Sequence, residues 1–154
     1  MLRSSIVAAF SSSPSGDALP AAADLPDQKI RTHRLLSELH RCSPGFVVWR
    51  STSENPFQHD LDVSPETLMH ELAVYTRAQC HHMTLFEMVR LGRTLERWIC
   101  MPNASEIGIA VQRAFLESIA GHPFGEMFRP IMGPRCRSYF DACHTPVQSE
   151  LSRR

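Results

Sequence analysis

Ser64-Pro65-Glu66-Thr67 carries three helix-start signals in a row. The serine hydroxyl can accept from an otherwise unpaired backbone N–H, proline at the next position presets φ and has no N–H to lose, and the glutamate lies near the positive end of the helix dipole. No further proline occurs before Pro102. The spacing therefore predicts one long helix over about 65–101, about ten turns interrupted only by Gly92.

Two apolar seams run along that helix. One is Val74, Ala78, His81, Leu85, Met88, Gly92, Leu95 and Ile99, and the other is Leu68, Leu72, Tyr75, Gln79, His82, Phe86 and Val89. The chain's first helix can cover one seam. The second is covered by the C-terminal helices, or else it is left for a second subunit or a partner.

Upstream, Leu35, Leu36 and Leu39 share one side of a helix expected over Asp27–Arg41, with Pro26 just ahead of it and Cys42, Ser43, Pro44 and Gly45 as the break. Phe46 to Trp49 is an apolar run of strand length and β-type composition, the one such run in the chain. Residues 50–63 read as a polar loop, with Asn55 before Pro56 as turn chemistry. Downstream, Asn103-Ala104-Ser105-Glu106 resembles a capping box with asparagine in the cap, and Gly121-His122-Pro123 is a stop. A helix is expected between them, Ala104 to Ala120, burying Ile107, Val111, Ala114, Phe115 and Ile119. A short Phe124 to Phe128 segment and a last helix from Pro134 to about Cys143 complete the pattern.

A length of 154 residues suits one domain. We expect a mostly α fold: a small helical domain at 27–144 built on the long helix with two to three shorter ones, and a flexible tail at 145–154. Residues 1–26, with Ser11 to Ser13, Pro14, Ser15, Gly16 and Pro20, cannot bury enough surface to offset their ordering entropy and read as a disordered arm. A secretion or transit signal is the other reading of that serine-rich start.

Lys plus Arg equals Asp plus Glu at 16 each, so no global positive field exists to hold phosphate backbones, and direct nucleic-acid binding is not expected. Lys29 is the single lysine, which hints at a GC-rich bacterial genome. Five scattered cysteines, an odd number, suit a reducing cytoplasm, and no apolar run approaches the roughly 18 residues of a membrane span.

Catalytic and metal motifs are weak. Cys80, His81 and His82 are adjacent, and Cys136, Cys143 and His144 could join them as soft ligands, but no Cys-x-x-Cys or His-x-x-x-His pair occurs. His70-Glu71 opens like a zincin motif, yet Val74 stands where the second histidine belongs. No phosphate-binding glycine loop or nucleophile elbow is present, so no catalytic, cofactor or metal residue is assigned. Arg77, Arg90, Arg93 and Arg97, with Glu87 and Glu96 between them, form either a solvated mixed-charge face or an arginine rim around a binding seam. Met69, Met83 and Met88 suit a core.

Ile30-Arg31-Thr32-His33-Arg34, followed by leucines, resembles the first helix of TraM-type antiactivators of quorum sensing, and Gln79 to Leu91, with His82, Met83 and Thr84, is similar to that family's second helix. The resemblance implies a two-helix antiparallel module that binds a LuxR-type transcription activator. In the LasR-binding antiactivators it implies an apolar helix face laid over the receptor's dimerisation surface. This chain departs from the family by inserting Phe46 to Val63 and by adding residues 102–154.

The sequence thus leads to a cytoplasmic, self-associating regulatory protein that is not an enzyme, takes no cofactor and binds neither nucleic acid nor membrane. Its partner is a protein, a LuxR-type activator on the strength of the resemblance. Partner contact is expected at Leu72, Tyr75, Gln79, His82, Leu85, Phe86, Val89, Arg90 and Arg93. The rival classes are a type III secretion-linked chaperone or effector, and a small thiol or metal enzyme using Cys80, Cys136 or Cys143.

Overall fold

The computed structural model describes residues 25–52, 63–102 and 105–144. The arm expected at 1–26, apart from its last two residues, the tail at 145–154 and most of the polar loop at 50–63 lie outside them. The described residues form seven helices and no strand. These are α1 (Leu25–Cys42), α2 (Pro44–Arg50), α3 (Pro65–Gln79), α4 (Leu85–Ile99), α5 (106–119), α6 (Pro123–Phe128) and α7 (Pro134–His144), with 3₁₀ turns at Cys80–His82 and Arg129–Ile131. No described helix is long and apolar enough to cross a membrane.

The Ser64 cap is present, its hydroxyl accepting from the Thr67 N–H at 3.1 Å. The helix it starts does not reach residue 101. It ends at Gln79, passes through the Cys80–His82 turn, and restarts at Leu85. Met83 is extended at φ −76°, ψ 130°, and the Thr84 hydroxyl accepts from the Glu87 N–H at 3.1 Å as a second N-cap. The signal for this break is Thr84-x-x-Glu87, a cap pattern inside an otherwise uninterrupted apolar periodicity. The two seams are therefore divided between two helices.

Phe46 to Trp49 is helical as well. Pro44 occupies the first turn of α2, where its ring favours helix entry, and among the described residues there is no strand for the run to pair with. Helical spacing turns Phe46 and Trp49 to one side, where each ring lies 5.6 Å from the Tyr75 ring on α3. Val48 points outward and is exposed. In α5 the cap is Ser105, whose hydroxyl accepts from Gly108 N–H at 3.2 Å; Asn103, the expected cap, lies outside the described residues. The middle of α5, Val111–Leu116, has π geometry, and its wider turns bury four side chains, Val111, Ala114, Phe115 and Leu116. Ile107 and Ile119 complete the expected stripe. Gly121, at φ 78°, ends the helix in the left-handed conformation that glycine adopts without steric penalty.

Helix α3 packs along α5, α1 packs on α2 and α4, and α4 also meets α5 and α7. Leu39, Leu68, Leu72, Leu91, Leu95, Trp98, Phe115, Phe128 and Phe140 fill the space between them. Carboxylates tie the elements at four points. Glu71, fully buried on α3, accepts from Arg50 Nε at 2.6 Å. Glu87 accepts from the buried Ser43 hydroxyl at 2.6 Å. Glu38 accepts from Trp98 Nε1 at 2.9 Å. Glu96 caps α7 from a distance, accepting the backbone N–H groups of Arg135 and Cys136 at 2.9 Å each. A side chain at Gly133 would collide with that carboxylate, so glycine is required for the approach.

Partial burial pushes the Glu96 carboxyl up, but the backbone N–H groups of Cys136 and Arg135, together with the Cys136 and Cys100 thiols, outweigh it and hold it below its usual value. A depressed folded-state pKa stabilises above the ordinary carboxylate range, and the contribution is lost as pH falls through the folded value. Glu96→Gln is therefore expected to be less stable than the parent by about 1 kcal/mol near neutral pH, as for a lost N-cap, and the gap should narrow below about pH 4. Urea unfolding of both proteins across that range measures it. A gap that stays constant into acid would contradict the capping role.

Candidate functional site

Where α1 lies against α4, a groove of about 230 Å³ is lined by Glu38, Arg41 and Cys42 from one helix and Arg90, Arg93, Thr94 and Arg97 from the other. Four guanidinium groups meet one carboxylate there, a local charge of +3 in a chain whose formal net charge is zero. Glu38 is already engaged: besides Trp98 it accepts from Arg97 Nη2 at 2.7 Å, and Arg34 lies 3.7 Å away. Among the described residues no ion pair involves Arg41, Arg90 or Arg93.

Helical spacing sets this alignment. Phe86, Arg90, Arg93 and Arg97 follow steps of four, three and four, so they form one stripe along α4. Phe86 is 70% exposed at the first turn, with the Arg90 guanidinium 5.4 Å from its ring centroid in cation–π contact. Leu85, beside it, is 67% exposed. The Thr84 cap and the Ser43–Glu87 hydrogen bond fix that first turn, so the two apolar side chains project from an anchored helix end.

The structure divides the residues expected to contact a partner. Leu72 is fully buried and Tyr75 is packed under Phe46 and Trp49, so both belong to the core and neither is available to a partner. Gln79 and Val89 are half-buried, and His82 is exposed on the 3₁₀ turn. Leu85, Phe86, Arg90 and Arg93 lie together on the exposed side of α4. Arg97 joins them, whereas Arg77 is drawn away to the Ser118 carbonyl at 3.4 Å. Arg41 and Glu38 carry no signal in the sequence, because their place in the groove depends on which helix α1 packs against. Met69, Met83 and Met88 are core.

Four of the thiols, Cys42, Cys100, Cys136 and Cys143, are pushed upward. Burial pushes Cys42 up despite the lowering influence of Thr94 and Arg90, and burial together with Glu96 pushes Cys136 well up. Cys143 is raised by burial and by Glu117, and Cys100 by desolvation and by Glu96. A nucleophilic thiol needs the opposite shift. Among the described residues no three His, Cys, Asp or Glu side chains converge as metal ligands. Comparison with protein-family models, curated proteins and solved structures finds nothing that matches this chain.

The division between core and surface gives a direct expectation. Leu72→Ala should lower unfolding free energy by about 2–5 kcal/mol. Leu85→Ala should stay within about 0.5 kcal/mol of the parent, and Phe86→Ala should lose at most about 1 kcal/mol with its cation–π contact. Denaturant melts of the three variants check the ordering, and a small loss for Leu72→Ala would remove it from the core.

Proposed function

We propose that this chain acts by binding another protein, with Leu85 and Phe86 as apolar anchors and Arg90, Arg93, Arg97 and Arg41 gripping acidic side chains around the contact. The observation that carries this reading is the single stripe on α4 that joins an exposed aromatic ring to three arginines. Large apolar side chains scattered singly need no explanation, but an aromatic anchor rimmed by guanidinium groups has the composition that interface hot spots favour. The partner surface that fits is an apolar depression edged with aspartate or glutamate.

The same charge argues against self-association through this face. A two-fold dimer would set each arginine stripe against its own copy, and like charges in contact repel. The partner is therefore a different protein.

Within that class we read the chain as an antiactivator that sequesters a LuxR-type transcription activator, blocking its dimerisation and hence its binding to DNA. Support comes from the resemblance over residues 79–91, a segment that contains Leu85, Phe86 and Arg90 of the exposed face. A groove of about 230 Å³ is below the usual range for enclosing a cofactor-sized ligand, which also favours surface recognition.

The test mixes purified chain with LuxR-type activators from its own genome and follows complex stoichiometry by light scattering and operator binding by gel shift. A defined complex that no longer holds operator DNA is expected, with affinity falling about 30-fold or more in Phe86→Asp and weakening with salt in the parent. Unchanged operator binding sinks the antiactivator reading. Equal affinity of Phe86→Asp and parent for every captured partner sinks the docking face itself.

A further inference from the structure

The arginine stripe is also one wall of the groove between α1 and α4, and the charge gathered there points to a specific ligand chemistry. Arg41 on α1 faces Arg90, Arg93 and Arg97 on α4 across a space of about 230 Å³. Only Arg97 is engaged by the groove's own carboxylate, at 2.7 Å from Glu38. Guanidinium groups held together without counter-charge repel one another, and an anion placed among them removes that repulsion.

We propose that this groove is a binding site for a phosphate-type dianion, either inorganic phosphate or a phosphate monoester. Arginine presents its N–H donors in a planar fork that matches phosphate oxygens, and several forks can share one phosphoryl group. Thr94, on the α4 wall, adds a hydroxyl. A carboxylate brings one negative charge and two oxygens, leaving most of the local +3 uncompensated, whereas a phosphate close to −2 with three or four oxygens can engage Arg41, Arg90 and Arg93 together. The groove is roomy enough for a phosphate with bridging waters around it.

The walls are preformed. Helices α1 and α4 are joined by Glu38 to Trp98 and to Arg97, and the corner between α1 and α2 is tied to α4 by Ser43 to Glu87. The ligand therefore meets donors on two rigid helices, which lowers the ordering cost of binding. The site takes Arg90 to Arg97 from α4 and Arg41 and Cys42 from the last turn of α1, the end that carries the negative pole of the helix dipole, so side chains alone supply the attraction. Arg90 also lies 5.4 Å from the Phe86 ring centroid, so Arg41 and Arg93 are the groove positions that can be changed without touching the apolar anchors.

The experiment uses the purified full chain. Thermal melts are recorded in phosphate, chloride and acetate at matched ionic strength, for the parent, for Arg41→Gln with Arg93→Gln, and for Arg113→Gln as an exposed control outside the groove. Phosphate should raise the melting temperature of the parent and the control by a few degrees over chloride and acetate, and the groove variant should lose that increment while gaining stability in low-salt chloride. Calorimetric titration with inorganic phosphate, and with a phosphoserine peptide beside its glutamate counterpart, distinguishes the sources. Binding of inorganic phosphate as tight as the phosphopeptide assigns a free anion, whereas at least tenfold tighter phosphopeptide binding assigns a phosphoryl group carried by a polypeptide. Equal melting shifts in phosphate and chloride, or a phosphate increment that survives in the groove variant, overturn the site. These results bear on the arginines that the docking reading shares, whereas the Phe86→Asp comparison tests the apolar anchors of that reading separately.

Discussion

Met83 has its side chain in the core and its backbone extended, and these two facts cannot both hold inside a continuous helix running along the surface. The turn that accommodates it divides 65–101 into α3 and α4 and lets the two helices face different neighbours. Helix α3 takes α5 with its π segment and the Phe46–Trp49–Tyr75 aromatic cluster, while α4 takes α1 and α7. Without the break, one rod would offer two seams to a single layer of partners. With it, Leu68, Leu72 and Tyr75 of one seam and Met88, Gly92 and Leu95 of the other are buried within the chain, and what remains exposed lies around the break, at Ala78, His81, His82, Leu85 and Phe86.

The carboxylates explain how a chain of zero formal charge carries a basic groove. Glu71, Glu87, Glu38 and Glu96 each hold two elements together, through Arg50, Ser43, Trp98 and the first turn of α7 respectively. A hydrogen bond to a charged group contributes more than a neutral one, about 1.5–3 kcal/mol, so these ties are worth a substantial part of the fold's margin. Their consequence is spatial. Negative charge is drawn into the joints between helices, and the arginines of α1 and α4 remain beside one another with only Glu38 in their midst.

Most of the helices were legible in the sequence because caps and periodicity are local. Ser64, Gly121 and Pro134 mark boundaries by mechanisms that depend only on near neighbours, and the α5 stripe from Ile107 to Ile119 follows from spacing alone. Two readings failed where a local signal competed with a longer pattern. Apolar periodicity continued through Thr84-x-x-Glu87 and hid a cap, and β-type composition at Phe46 to Trp49 hid a helix that Pro44 starts and Tyr75 receives. The site was half legible for the same reason. Leu85, Phe86, Arg90 and Arg93 share a stripe on one helix, which spacing reveals. Arg41 enters the groove, and Leu72 and Tyr75 leave the surface, through tertiary packing that no single segment encodes.

Net charge speaks to one length scale and is silent at another. Equal numbers of acidic and basic residues mean that the chain as a whole casts no positive field over the dimensions of a nucleic-acid duplex. At physiological ionic strength, however, charges are screened beyond about 8 Å, so a ligand inside the α1–α4 groove responds to the four guanidinium groups around it and hardly at all to carboxylates on the far side of the molecule. Zero formal net charge and a locally basic groove are then compatible in the same sequence. The groove is confined to one face of two helices and cannot follow an extended phosphate backbone, but it is well matched to a single phosphoryl group or to the acidic edge of a protein surface.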